Sequence, residues 1–178
     1  MTSKVLSSEE LAEQIKERFK GKIKEVKIEK RAVGVKKKER ETLWIKADKD
    51  ILKDFVKYLM EIEFPHLAII SGNDLGKTIE LVYHFSIYYG RKLREVSINL
   101  SVEVSKENPV IPTICDLIPG ALITEREKQE MLGVKIEGIP DGRRIFLSDD
   151  FPEGVYPWRR DETGPDKMVR DLYEVKEE

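Results

Sequence analysis

The chain has 178 residues, 40% of them hydrophobic and 37% charged, which suits one globular domain rather than two. Its 32 Lys and Arg stand against 34 Asp and Glu, so bulk charge holds it neither to nucleic acid nor to lipid. No run approaches the ~18 apolar residues of a membrane span, and residues 1–10 lack the apolar stretch of a secretory signal, so a cytoplasmic protein is expected. One cysteine, Cys115, and two histidines, His66 and His84, are too few for a self-contained metal or cluster site. Lys and Glu carry most of the charge while Asn and Gln are scarce, the bias of hyperthermophile proteins.

Ser7 with Glu10 three places on spells a capping box. Leu11, Ile15 and Phe19 follow at helical spacing, and Gly21 is the expected stop. Val26 and Ile28, then Val33 and Val35, alternate with charged residues as half-buried strands do. The run Lys36-Lys37-Lys38-Glu39-Arg40 reads as the solvated tip between them and a strand through Leu43 and Ile45. From 48 to 62 the period changes: Ile51, Leu52, Phe55, Val56, Leu59 and Ile62 share one helical face, with Asp48 or Asp50 as the cap. Phe64-Pro65 ends that helix.

A short apolar run, 66–70, leads into Ser71-Gly72-Asn73-Asp74, which has turn chemistry. Ile79, Leu81, Tyr83, Phe85, Ile87 and Tyr89 then alternate on one strand face. After Gly90, Val96, Ile98, Leu100, Val102 and Val104 do the same, which predicts an antiparallel hairpin. The fold class is α+β: a mostly antiparallel sheet with helices packed on it, then a helix and a long extended C-terminal tail. After Pro109 the chain is broken by Pro and Gly. The exception is Thr124-Glu125-Arg126-Glu127, which reads as a second capping box for a helix closed by Gly133. From Phe151 onward no period builds a core. The aromatic and arginine content of Tyr156-Pro157-Trp158-Arg159-Arg160 favours a segment laid over something else. The expected divisions are 1–110, 111–147 and 148–178.

Ser71 to Thr78 ends in Gly-Lys-Thr as a phosphate loop would, but Ser71 stands where glycine is required and a strand pattern follows instead of a helix. A hairpin turn is expected there, without nucleotide binding. His66 and His84 read as structural or surface imidazoles, and Cys115 as a small packed residue. Glu125 and Glu127 are two apart on a helix and share no face, unlike an acid–base dyad. Spacing alone offers no self-contained active site.

The stretch 111–161 resembles the 30-kDa subunit family of respiratory complex I, the NADH–quinone oxidoreductase. Three motifs carry the resemblance. The first is Glu125-Arg126-Glu127 with Glu130, Met131, Leu132 and Gly133, approached through Ile111-Pro112-Thr113-Ile114-Cys115-Asp116. The second is the loop Gly138-Ile139-Pro140-Asp141-Gly142-Arg143-Arg144-Ile145-Phe146-Leu147. The third is Pro157-Trp158-Arg159-Arg160-Asp161. Ile139 stands where the family has His, Glu130 where it has Asp, and Trp158 and Arg160 alter the last motif.

Those departures make the chain look most like the counterpart in archaeal membrane-bound, energy-converting NiFe hydrogenases. The resemblance implies a subunit that binds no cofactor itself, in the peripheral arm on the cytoplasmic side of the membrane. Its neighbours would be a large catalytic subunit with the NiFe centre and a small subunit with a 4Fe-4S cluster, and membrane subunits would lie beyond them. The implied complex is ferredoxin-driven, hydrogen-evolving and ion-translocating, with sulfur- or quinone-reducing relatives as the alternative. The motif residues Glu125, Arg126, Glu127, Glu130, Gly133, Pro140, Asp141, Arg143, Arg144, Pro157, Trp158, Arg159, Arg160 and Asp161 become the candidate interface. Of Arg143 and Arg144, one is expected to reach the partner and the other to pair with Glu125 or Glu127. The reading from a different class is an autonomous small-molecule-binding domain.

Overall fold

A computed structural model of the chain describes residues 5–35, 37–91, 94–166 and 168. Lys36 of the charged tip and most of the residues beyond 166 lie outside the described residues. Helix α1 (Ser8–Arg18) starts as its sequence dictates: Ser7 Oγ accepts from Glu10 N, and the Glu10 carboxylate accepts from Ser7 N. Strands β1 (Ile23–Val33) and β2 (Lys38–Ala47) form an antiparallel hairpin. A 3-10 turn (Lys49–Ile51) leads into α2 (Leu52–Ile62), followed by β3 (His66–Asp74), β4 (Thr78–Ile87) and β5 (Val96–Ser105). The rest comprises β6 (Val110–Pro112), a 3-10 turn (Pro119–Ala121), α3 (Leu122–Leu132) and β7 (Lys135–Glu137).

The sheet order is β1-β2-β5-β4-β3, with β2 and β5 parallel and every other pair antiparallel. The alternation is realised along β4 as far as Ile87 and throughout β5: Ile79, Leu81, Tyr83, Phe85 and Ile87 face the core with Val96, Ile98, Leu100, Val102 and Val104. Phe55 of α2 joins the α1 and sheet layers, with its ring centroid 5.8 Å from Phe19 and 6.4 Å from Phe85. Helix α3 packs on the same face, where Leu132 crosses Gly72 beside Leu81. A β-carbon on Gly72 would sit 2.5 Å from Leu132 Cδ1, so the close crossing depends on glycine at that position.

Five expectations need correction. Val33 and Val35 form no half-buried strand: β1 runs through to Val33, its end projects past the core, and both side chains are exposed. Neither Asp48 nor Asp50 caps α2: the intervening 3-10 turn moves the helix start to Leu52, and Asp48 pairs with Lys24 at 2.9 Å. Ser71 to Asp74 do not turn. They extend β3, and the reversal falls on Leu75 to Lys77, where Gly76 has φ 88°. Tyr89 is exposed while Tyr88 is buried, because Tyr88 takes φ 57° and its amide donates to the Glu63 carboxylate, which ends β4. Thr124 is no cap either. Pro119 starts the turn that launches α3 three residues earlier, and Thr124 Oγ1 accepts from Ile70 N at 2.8 Å, sealing the outer edge of β3.

Candidate functional site: the signature helix and its strap

Helix α3 is polar, yet Glu125, Arg126, Lys128 and Glu130 are all buried. Buried charge is tolerated only where each group is fully hydrogen-bonded or paired. Here each one binds a different stretch of backbone or a ring. Glu125 accepts from Ile114 N at 2.8 Å, Thr113 Oγ1 at 2.5 Å and the Cys115 thiol at 3.2 Å, and so holds the 111–116 approach against the helix. Burial, reinforced by the Glu125 carboxylate, pushes the Cys115 thiol up to about 11. It is therefore a buried donor and no nucleophile.

The next residue, Arg126, donates from Nε to Arg143 O at 2.6 Å and from Nη2 to Arg144 O at 3.1 Å, and pairs with Asp141 at 3.2 Å. Glu130 then takes three successive amides: Ile145 N at 2.5 Å, Phe146 N at 2.9 Å and Leu147 N at 2.8 Å. A loop with no periodicity of its own is thus fixed to the helix by two side chains acting on its backbone. Arg143 pairs with Asp141, two residues away, at 2.8 Å, and Arg144 donates to Ser148 O and Phe151 O. The expected pairing of one of them with Glu125 or Glu127 does not form, because Glu125 is already spent on Thr113, Ile114 and Cys115. Glu127 pairs instead with Lys128.

The third motif returns across the end of α3. Trp158 N donates to Met131 O at 2.9 Å, and Arg159 Nε donates to Leu132 O at 2.8 Å, satisfying carbonyls that a helix C-terminus leaves open. Gly133, left-handed at φ 68°, lies under the Tyr156 ring, over which the Arg159 guanidinium stacks at 4.4 Å. Lys128 Nζ stands 4.4 Å from the Trp158 ring centroid. Burial holds the Lys128 ammonium below its usual range, against the pull of Glu127.

The segment ends at the β3–β4 turn. Asp74 accepts from Gly76 N, from Arg160 N and from Lys106 Nζ at 2.6 Å, and Lys106 also pairs with Asp161 at 2.5 Å. Burial works against ionised Asp74, but Lys106 and the two amides outweigh it and keep its carboxyl below the usual range. Bonds from Lys106 and Thr163 hold Asp161 well below it. The segment from 138 to 163 is therefore a strap laid over this chain's own helix. Pro140 is exposed at its first bend and Pro157 half-buried at its return.

Sequence reasoning missed Asp74 and Lys106, whose pairing spans 32 positions. It also missed a row on the helix-free sheet face. Ser71 Oγ lies 2.7 Å from His84 Nε2, and His84 Nδ1 lies 2.9 Å from Asn99 Oδ1. The order is that of nucleophile, base and orienter, but the three residues sit within regular paired strands, where extended backbone does not converge amides on one point as an oxyanion hole requires. His66 is exposed, with its ring beside Tyr89. The Gly76-Lys77-Thr78 stretch is a hairpin turn closed by Leu75 N to Thr78 O. A cleft between the start of α1 and the Gly90 loop is lined by Leu6, Ser7, Arg40, Arg91 and Glu95. Of its cations, Arg40 pairs with Glu95 and Arg91 with Glu63. Among the described residues no group of three or more His, Cys, Asp or Glu could hold a metal ion, and no helix is long and apolar enough to cross a membrane.

Comparison with known proteins places these motifs. The chain is 38% identical over 165 residues to the membrane-bound hydrogenase subunit beta of Pyrococcus furiosus, covering 92% of this chain and 91% of that protein. It is 32% identical over 127 residues to formate hydrogenlyase subunit 5 of Escherichia coli, covering 70% of this chain but 21% of that protein. A chain of the archaeal membrane-bound sulfane sulfur reductase superposes with a TM-score of 0.71 at 26% identity, over 96% of this chain and 95% of that one. The profile of the respiratory-chain NADH dehydrogenase 30-kDa subunit family matches residues 45–167, which takes in all three motifs, and the chain belongs to that family.

Proposed function

We propose that this chain is a structural subunit, binding no cofactor of its own, in the peripheral arm of a membrane-bound complex related to respiratory complex I. There it would hold a catalytic large subunit and a 4Fe-4S small subunit together on the cytoplasmic side. The observation that carries the reading is the match to the Pyrococcus hydrogenase subunit over almost the whole of both chains. A NiFe hydrogenase that takes electrons from ferredoxin, evolves hydrogen and translocates ions is accordingly the first assignment. The second is a sulfur-reducing relative, which the superposition on the sulfane sulfur reductase chain favours.

The neighbour follows from the lengths of the relatives. The region matched here is about a fifth of formate hydrogenlyase subunit 5. What is a separate partner in this system would there be the remainder of one polypeptide, and the large subunit is its counterpart. The buried polar clamps on the strap suit a scaffold: they give a small domain a rigid outer surface with no chemistry of its own. Isolation of the complex through a tag on this chain tests the assignment. Nickel in the preparation with hydrogen evolution from reduced ferredoxin supports the hydrogenase. Sulfide production without nickel supports the sulfur reductase, and neither activity rejects both.

A further inference from the structure

The family motifs divide into two jobs that the sequence does not separate. Glu125, Arg126 and Glu130 point inward and are spent on this chain's own backbone. The loop that Arg126 and Glu130 clamp turns Ile145 and Phe146 outward. Phe146 is 51% exposed and Ile145 39%, although the amides of both are bound by the buried Glu130. Trp158, 41% exposed, is likewise held by its backbone, its amide donating to the carbonyl of Met131 near the C-terminal end of the same helix. Arg143, two residues before Ile145, extends a guanidinium whose side chain is 84% exposed.

Large apolar side chains held outward on a clamped backbone are unfavourable in water and ordinary in the centre of an interface. Anchors of this kind are most effective when their backbone is already fixed, because association then orders nothing. We infer that Ile145, Phe146 and Trp158 are the side chains that enter the partner, with Arg143 at the rim, and that Arg126 and Glu130 are positioning residues that never touch it. The inference rests on the structural-subunit reading and commits to one occupant, the large subunit that corresponds to the remainder of formate hydrogenlyase subunit 5. That surface should present an apolar recess for Phe146, with carboxylate or carbonyl oxygens at the edge for Arg143. Continuity supports this choice: in that relative the same region is covalently joined to a much longer chain.

Two experiments test it. In the free full-length chain, hydrogen exchange should show the 145–147 amides protected, and Glu130→Ala should abolish that protection while that of β4 and β5 stays unchanged. Glu130→Asp, which keeps the carboxylate, should restore part of it. In the assembled complex, a benzoyl-phenylalanine photo-crosslinker at position 146 or 158 should attach to the large subunit, identified by mass spectrometry, and one at exposed Lys20 should not. Phe146→Ser should weaken association at least 10-fold with exchange at 145–147 unaltered. Unprotected amides in the free chain, or cross-links to any other subunit, overturn the inference. If the unaltered chain enters no complex, the structural-subunit reading fails, and the exchange result still decides the clamp.

Discussion

Replacing Gly133 with alanine tests the seat of the strap on the end of α3. At φ 68° a β-carbon costs roughly 1–2 kcal/mol. The new carbon would also lie 2.5 Å from Tyr156 Cζ and 2.7 Å from both Cε atoms. Carbon contacts normally sit at ~3.5–4.0 Å, so the ring must retreat by about 1 Å. Overpacking of this size costs ~1–3 kcal/mol. Gly133→Ala should therefore lose about 2–5 kcal/mol in urea denaturation followed by circular dichroism. A double-mutant cycle isolates the clash. Tyr156→Ala alone surrenders the ring's packing and its stacking under Arg159, but in the Gly133→Ala background it also relieves the overlap. The two single losses should exceed that of the double mutant by at least ~1 kcal/mol. Additivity to within ~0.5 kcal/mol would refute the contact between Tyr156 and the helix end.

Three further outcomes follow from particular groups. Glu125→Ala strands the Ile114 amide and the Thr113 hydroxyl in the core, at about 1–3 kcal/mol each, and a loss below ~1 kcal/mol in the same denaturation assay would contradict its anchoring role. Asp74 and Asp161 have folded pKa values below their ordinary ones, so their contribution is complete above about pH 4 and is lost as pH falls through the lower folded values. In a Trp44→Phe variant, Trp158 fluorescence should thus stay constant on acidification to about pH 5 and change only below about pH 4; a transition near pH 6 would contradict the Asp74–Lys106–Asp161 anchor. Lys77→Ala should leave stability within ~0.5 kcal/mol of the parent, and calorimetry should detect no ATP binding by either protein, whereas binding lost on substitution would reinstate a phosphate loop.

The parts of the fold legible in the sequence are those written in side-chain periodicity. The capping box of Ser7 and Glu10, the face of α2 and the alternation along β4 and β5 each repeat a local rule, and each appears where the pattern puts it. The strap is written differently. Glu130 binds the amides of 145–147, Arg126 the carbonyls of 143 and 144, and Arg159 the carbonyl of Leu132. Every residue but proline has the same backbone groups, so such bonds leave no mark on the partner's side chains. The motif resemblance singles out Glu125, Arg126 and Glu130 and carries no sign that all three face inward. Tyr88 and Asp74 were hidden for related reasons: one depends on a positive φ, the other on a cation 32 positions away.

The central claim is membership of a membrane complex, and the most direct measurement is the state of the chain in its own cell. With an affinity tag on this chain, membranes are solubilised in mild detergent, and the captured material is sized and its subunits identified. The account predicts a particle many times the mass of this chain, holding a long partner subunit at one copy per copy. Recovery of the chain as a lone monomer in the soluble fraction, with none on the membranes, would contradict it.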